Sequence, residues 1–395
     1  MKRKLAIFLA ALILFTCASA CGGGGDGSSL TVWCAEMDKE MITAMAEAFL
    51  ADNSGVKEIK VEVCEDDSAQ STLEEDPAAA ADVICIPHNQ LGPLVNKNRL
   101  FEITGENHLA DIHENTAPAV KAGQINGKQY GFPSSFETHM LFYDRSVIAD
   151  ADVLTLEGIL SNAVTENGYP FVMEFGNAYF SANWFFTYGC KLFGDSGEDS
   201  TFCDFNGAGG VAAMTYLIEN REKFGNYGGD DAIDLFKEHR LGAFIGGPWN
   251  AAAVTEVLKG NYGCAGLPSV DGKPMKSFAG YKLYCVNANT KNKETAMELA
   301  AWLTNPDNQK IRFQTRNLIP VAASLADDVD VAVSATAKAI MAQGPNAIAM
   351  PAISEMDNFW EPAGNLTLAC YNGEIELSEL QAKLDELTQE IIGEQ

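Results

Sequence analysis

Apolar and polar positions alternate with a period that changes along the chain, and the changes mark its elements. Leu30–Cys34 is a short β-run, after which Met41, Ile42, Met45, Phe49 and Leu50 recur at the spacing of one helical face. Ile59, Val61 and Val63 alternate with charged residues, the period of a strand. Asp82–Ile86 reads as a third, apolar strand ended by Pro87. A βαβαβ opening predicts a mostly parallel sheet flanked by helices, with ligands gathered beyond the carboxyl ends of the strands. Farther on, Gln124 to Tyr130 reads as a hairpin turning on Asn126-Gly127. Helical spacing returns over Gly210–Lys223, Ala232–Glu238, Lys293–Thr304 and Glu376–Ile392, and Gly280–Ala288 is another apolar strand directly before a helix. No internal repeat or long linker splits the chain into sequential units. A two-lobed molecule therefore requires the chain to cross between lobes more than once.

The N-terminus breaks this pattern. Lys2, Arg3 and Lys4 precede an unbroken apolar run from Leu5 to Phe15, then the small residues Ala18, Ser19 and Ala20 lead to Cys21. Residues 1–20 are expected to be a secretory signal, too short for a comfortable membrane span. Small residues directly before a cysteine resemble a bacterial lipobox, although Ala18 stands where leucine is usual. Residues 21–29 then read as a lipidated Cys21 followed by a Gly/Ser tether. The expectation is an exported chain held by its lipid on the outer face of the bacterial cytoplasmic membrane. Plain cleavage after Ala20 is the alternative.

Composition narrows the remainder. Hydrophobic residues make up 47% and aromatic residues 9%, enough to fill real cores in two domains or one large one. The formal charge of −27 excludes nucleic acid and anionic membrane surfaces as natural partners. Eight cysteines lie beyond Cys21. Cys34, Cys64, Cys85 and Cys285 sit in apolar, strand-like runs, where cysteine acts as a small hydrophobe. Cys190 and Cys203 flank a Gly/Asp-rich turn and form the one pair placed to bridge a hairpin, while Cys264 and Cys370 are left over. No cysteine or histidine spacing fits a metal, and no cofactor is implied.

Certain segments recur in a telling order. Leu30-Thr31-Val32-Trp33 with Asp38-Lys39 comes first, then Ala80 to Gly92, then Asn126 to Pro133 with Glu137 and Leu141-Phe142-Tyr143-Asp144. Ala178-Tyr179-Phe180 precedes Gly189, and Gly246-Gly247-Pro248-Trp249 and Met350-Pro351-Ala352-Ile353 with Met356, Phe359 and Trp360 follow. Together they resemble the family 1 extracellular solute-binding proteins of ABC importers, in the maltose/maltodextrin-binding branch. The resemblance implies a two-lobed, periplasmic-binding-protein-like (Venus flytrap) α/β fold. Residues 30–134 with 282–321 would form one lobe and 135–281 with 322–395 the other. Hinges are expected near Ser134–Phe136, Ala279–Lys282 and Val321–Ala323. A malto-oligosaccharide or related oligosaccharide would bind between the lobes of a monomer that delivers it to ABC permease subunits, with no catalysis.

Sugar chemistry supports that site independently. Pyranose rings offer an apolar face to aromatic planes and a rim of hydroxyls to carboxylates and amides. Of the five tryptophans, Trp33, Trp184 and Trp302 fall in strand- or helix-like positions and read as core. Trp249 follows Gly-Gly-Pro, and Trp360 sits among polar and helix-breaking residues, so both suit a cleft wall. The resemblance adds Asp38, Lys39, Asn89, Gln90, Glu137, Asn177 and Tyr179 as ligand-binding candidates. Asp38 has a second reading as the N-cap of a helix from Lys39, and His88 reads as structural. Departures bear on specificity: Ile86, Asn89 and Gln90 stand where maltose binders of the family carry Trp, an acid and Arg. Asn177 replaces a family glutamate and Gly364 an arginine, and the change at Ile86 is expected to open one end of the cleft. A different oligosaccharide or a peptide remains an alternative ligand. A secreted glycoside hydrolase is the other class, with Asp38, Glu137 and Glu361 as its carboxylates. No nucleophile elbow, HExxH or Walker loop supports an enzyme.

Overall fold

The computed structural model describes residues 28–165 and 167–393. The signal-like segment and Cys21 lie outside the described residues. Strand β1 (Ser28–Cys34) starts inside the expected tether, because the Ser28 N–H already donates to the Gly55 carbonyl at 3.1 Å. It pairs in parallel with β2 (Val56–Val63) and with β3 (Val83–Pro87), and helices Lys39–Asp52 and Ala69–Glu75 make the crossovers. Strand periodicity of two sorts the side chains. Leu30, Val32, Cys34, Val83 and Cys85 pack under helices Lys39–Asp52 and Lys293–Leu303; Trp33, Ile84 and Ile86 pack on the opposite face. Ile86 is fully buried there among Leu91, Leu94 and Leu283. It therefore opens no end of a cleft, contrary to the sequence expectation, because its parity aims it into the core.

The hairpin β4 (Gln124–Ile125) and β5 (Lys128–Gln129) turns on Asn126 and Gly127 with φ of 52° and 74°. Positive φ at both positions is the type I′ geometry that this dipeptide favours. Next, β6 (Gly131–Thr138) enters the first sheet, and after His139 the chain passes directly into a second one. That sheet holds β7 (Met140–Asp144), β8 (Tyr169–Met173), β9 (Phe224–Asn226), β10 (Leu241–Gly246) and β11 (Tyr262–Ala265), in the order β11-β7-β10-β8-β9. A small hairpin of β12 (Ser269–Val270) and β13 (Lys273–Pro274) precedes β14 (Ser277–Val286), which returns to the first sheet, and β15 (Ala347–Ala349) joins it there. The first sheet runs β15-β14-β3-β1-β2, with β6 also paired to β14. Both sheets are mixed, with β7 antiparallel to both of its neighbours.

Antiparallel pairing of β6 with β14 makes a ribbon from Cys285 opposite Gly131 to Ala279 opposite Thr138. A shift of register between Lys282 and Leu283 bends it where it leaves the first sheet. Beside it, the Phe136 N–H donates to the Ile319 carbonyl at 2.8 Å, and Val321–Ala323 lies on the 114–116 loop. The second body has an aromatic core. Helix Ala178–Thr187 is apolar nearly all round and lies between other helices, with Phe185 stacked on Phe205 at 4.2 Å and Trp184 fully buried. The C-terminal helix begins at Leu380, four residues later than its periodicity suggests, because Glu376–Glu379 closes a turn, the Glu379 N–H donating to the Glu376 carbonyl. Every cysteine among the described residues is free. Cys203 sits opposite Leu192 across its hairpin, and Cys190 and Cys203 form no bridge. Cys64 lies one residue past β2 instead of within it.

One glycine binds the two bodies' connections together. A Cβ on Gly92 would stand 1.9 Å from the carbonyl oxygen of Ala352, in the segment leading from β15 to the second body. Gly92→Ala is expected to destabilise the protein by about 1–3 kcal/mol, the usual cost of overpacking. Urea unfolding should show a lower midpoint with an unchanged slope.

Candidate functional site

Loops at the carboxyl ends of β1, β2 and β3 bring Asp38, Asp66 and the turn His88–Gln90 to one end of the first sheet, as a parallel βαβ array requires. The ribbon adds Glu137 from β6 and Lys282 from β14. Lys282 is ion-paired to Asp66, and its Nζ lies 4.0 Å from Glu137 Oε2. Arg316 Nε donates to Asp38 Oδ1 at 2.7 Å, with both side chains largely buried. Asp38 thus precedes a helix without capping it. Gln90 Nε2 donates to the carbonyls of Asp66 and Asp67 at 2.9 and 3.1 Å, which fixes the loop after β2.

Burial dominates the electrostatics. It pushes the Glu137 carboxyl up to about 7, with Asp66 and Asp38 reinforcing the rise and Lys282 opposing it. A cation at 4.0 Å would ordinarily hold a carboxylate low, but the charge of Lys282 is already engaged by Asp66. Burial alone would discharge Lys282; Asp66 and Glu137 outweigh it and hold the ammonium above the usual lysine range. Several buried acceptors here have no donor: Asp66 Oδ1, Asn89 Oδ1 and Gln90 Oε1, together with the Ser135 hydroxyl. Buried polar atoms are normally satisfied, so this cluster makes the neighbourhood a candidate site for a polar ligand.

The second body contributes aromatic planes. Tyr179 stands in the first turn of helix Ala178–Thr187, whose N-cap Asn177 accepts from the Tyr179 N–H at 3.1 Å. Trp249 folds back over its own turn: a Cβ on Gly247 would lie 2.2 Å from the indole, and the Gly247 N–H is held by Asn250 Oδ1 at 3.1 Å. Only glycine permits that close approach. The Tyr179 and Trp249 ring centres are 6.3 Å apart, Tyr179 stacks on Phe278 at 6.2 Å, and Trp360 meets Phe278 at 6.0 Å. Tyr179, Trp249 and Trp360 are each half-buried, so their planes are partly open. His139 supports Tyr179 edge-on at 4.4 Å and is bonded to Asn183; burial pulls it down to about 3, so it is neutral at neutral pH. Glu137 joins the two halves, since burial and then its charge push the Tyr179 phenol up.

The structure thus gathers Asn89, Gln90, Glu137, Tyr179, Trp249 and Trp360 into one neighbourhood. Asp38 is there too, but engaged by Arg316. Lys39 is exposed, and Asn177 is occupied as a cap and by Glu174 Oε2, to which its amide donates at 3.1 Å. His88 holds the Met350 carbonyl and the Tyr281 N–H, a framework role. Sequence reasoning missed Asp66, Arg316 and His139, and placed Lys282 only in a hinge. Asp66 was findable, since it follows β2 as Asp38 follows β1, and Lys282 interrupts an otherwise apolar run. At Gly364 a Cβ would lie 2.3 Å from the Gly176 carbonyl oxygen, so helix Trp360–Asn372 packs too closely there for the arginine of other family members.

Comparison with known proteins fits this geometry. The profile of the family described as bacterial extracellular solute-binding protein matches residues 44–343. A galactooligosaccharide-binding protein of Bacillus subtilis (strain 168) is 30% identical over 391 residues, covering 92% of this chain and 91% of that protein. A maltooligosaccharide ABC transporter solute-binding lipoprotein of Streptococcus pneumoniae (strain ATCC BAA-255 / R6) is 27% identical, covering 93% and 91%. Among solved structures, a maltodextrin-binding protein from L. casei BL23 without ligand superposes with a TM-score of 0.80 at 26% identity, covering 94% of this chain and 100% of that one.

The raised Glu137 carboxyl has a thermodynamic signature. Between the ordinary glutamate range and about pH 7 the folded state keeps a proton that the unfolded state has lost, so stability falls as pH rises through that window. Glu137→Gln removes this contribution. Calorimetric melting of the ligand-free proteins from pH 4 to 8 should show the variant gaining on the wild type as pH rises to about 7, then a constant difference.

Proposed function

The chain belongs to the bacterial extracellular solute-binding proteins, and on that premise we propose that it is the oligosaccharide-capturing subunit of an ABC importer. One observation carries the reading: the aromatic planes of Tyr179, Trp249 and Trp360 lie within electrostatic reach of a carboxylate cluster, since the charge of Glu137, which shares Lys282 with Asp66, acts on the Tyr179 phenol. Apolar sugar faces suit the former and sugar hydroxyls the latter. Sugar binding draws the two bodies together by bending the β6–β14 ribbon and the neighbouring Val321–Ala323 segment. A membrane permease then distinguishes the closed form from the open one, and that difference in recognition is the signal for transport. Cys21 carries the lipid that keeps a monomeric protein at the outer face of the cytoplasmic membrane, and no helix among the described residues is long and apolar enough to span it.

The named relatives divide between galactose- and glucose-based oligosaccharides. The test is a calorimetric screen of the mature protein against maltose, maltotetraose, galactotetraose, cellotetraose and a short peptide. Binding of the peptide alone would overturn the carbohydrate reading, and turnover of any sugar would overturn the binding-only reading. Trp249→Ala and Trp360→Ala should each weaken the bound sugar by about thirtyfold or more, as for the loss of a central aromatic anchor. Their circular dichroism and melting should stay near wild type, since both side chains are half-exposed.

A further inference from the structure

We infer that Lys282 is a positioning residue that makes Asp66 and Glu137 into a single hydroxyl-accepting clamp. The inference rests on the oligosaccharide reading above. Lysine is seldom buried unless paired, yet Lys282 lies in the middle of the ribbon with its side chain 17% exposed. Its ammonium takes one oxygen of Asp66 and leaves Oδ1 without a donor, while Glu137 Oε2 stands 4.0 Å away. The lysine thus ties the loop after β2 to the strand beside Glu137 and holds two carboxylates in one neighbourhood. Without the cation, the Asp66 charge would push the Glu137 carboxyl higher still.

Charge counting shows what the cluster offers a ligand. Asp38 and Arg316 neutralise each other, and Lys282 faces two carboxylates, so the ionised cluster carries an excess negative charge. Sugar hydroxyls are donors that the free carboxylate oxygens accept strongly once ionised.

Glu137 is the titrating member, and the groups around it are Lys282, Asp66, Asp38, Arg316, the Tyr179 phenol and the neutral His139. The experiment measures affinity for maltotetraose and galactotetraose by calorimetry from pH 5 to 9. In the wild type, binding should strengthen as pH rises through about 7, where the Glu137 carboxyl ionises. In Lys282→Met it should weaken about tenfold or more at neutral pH, and the rise should move up by about one unit or more, as for the loss of a nearby opposite charge. Lys282→Arg should restore the wild-type profile. Asp66→Asn removes a negative neighbour of Glu137, so its profile should move the opposite way, to lower pH. That variant also serves should Lys282→Met fail to fold. A packing role alone would not move the two profiles in opposite directions. Wild-type protein that binds neither sugar overturns the oligosaccharide reading and this inference with it. Wild-type binding with both variants within about threefold at every pH, or profiles that do not move apart, overturns the role of Lys282 alone.

Discussion

The antiparallel pairing of β6 with β14 is the constraint on which the rest depends. These two strands are shared: their Gly131 and Cys285 ends lie in the first sheet, and their Thr138 and Ala279 ends reach the second body. Backbone hydrogen bonds hold the ribbon regardless of side chain, so it can carry unusual residues. It carries two. Glu137, buried, and Lys282, largely covered, are ionisable groups that an ordinary strand interior would not tolerate, and each is retained because the other and Asp66 are within reach. A backbone element that joins the two bodies thereby also supplies the charged floor between them.

From that floor the site extends in two chemically different directions. Toward the first sheet lie loops from successive parallel strands, rich in amides and carboxylates, because the carboxyl ends of parallel strands converge there. Toward the second body lie aromatic rings braced by Phe278, Phe359 and His139. Neither half alone would recognise a sugar well. A polar wall would bind its hydroxyls in competition with water, and an aromatic wall would accept any flat apolar group. Together they ask for both properties in one ligand.

Much of this was legible in the sequence, for reasons that can be named. Period-two and helical spacing located β1, β2, β3 and the helix Lys39–Asp52 because each buries a face against the same core. Asn126-Gly127 specified its turn because few other dipeptides adopt two positive φ values cheaply. Trp249 and Trp360 stood out because large aromatics beside glycine and polar residues fit no core period. Where the reading went astray, parity or partners were the cause. Ile86 was assigned to a cleft by correspondence of position, whereas the strand turns it into the core. Asn177 was assigned to ligand, but a helix N-terminus claims its side chain.

What the sequence by itself determined is therefore the set of elements, their order, and the two kinds of residue a sugar site needs. Those follow from interactions within a few residues, or from patterning against a core of any shape. Only the tertiary structure decided which charges meet. Asp66, Glu137, Lys282, Asp38 and Arg316 come from five separate segments, and a pairing such as Asp38 with Arg316 spans 278 positions of chain. Coulombic partnership and burial depend on distance in space and on the local dielectric, and neither is written in spacing along the chain.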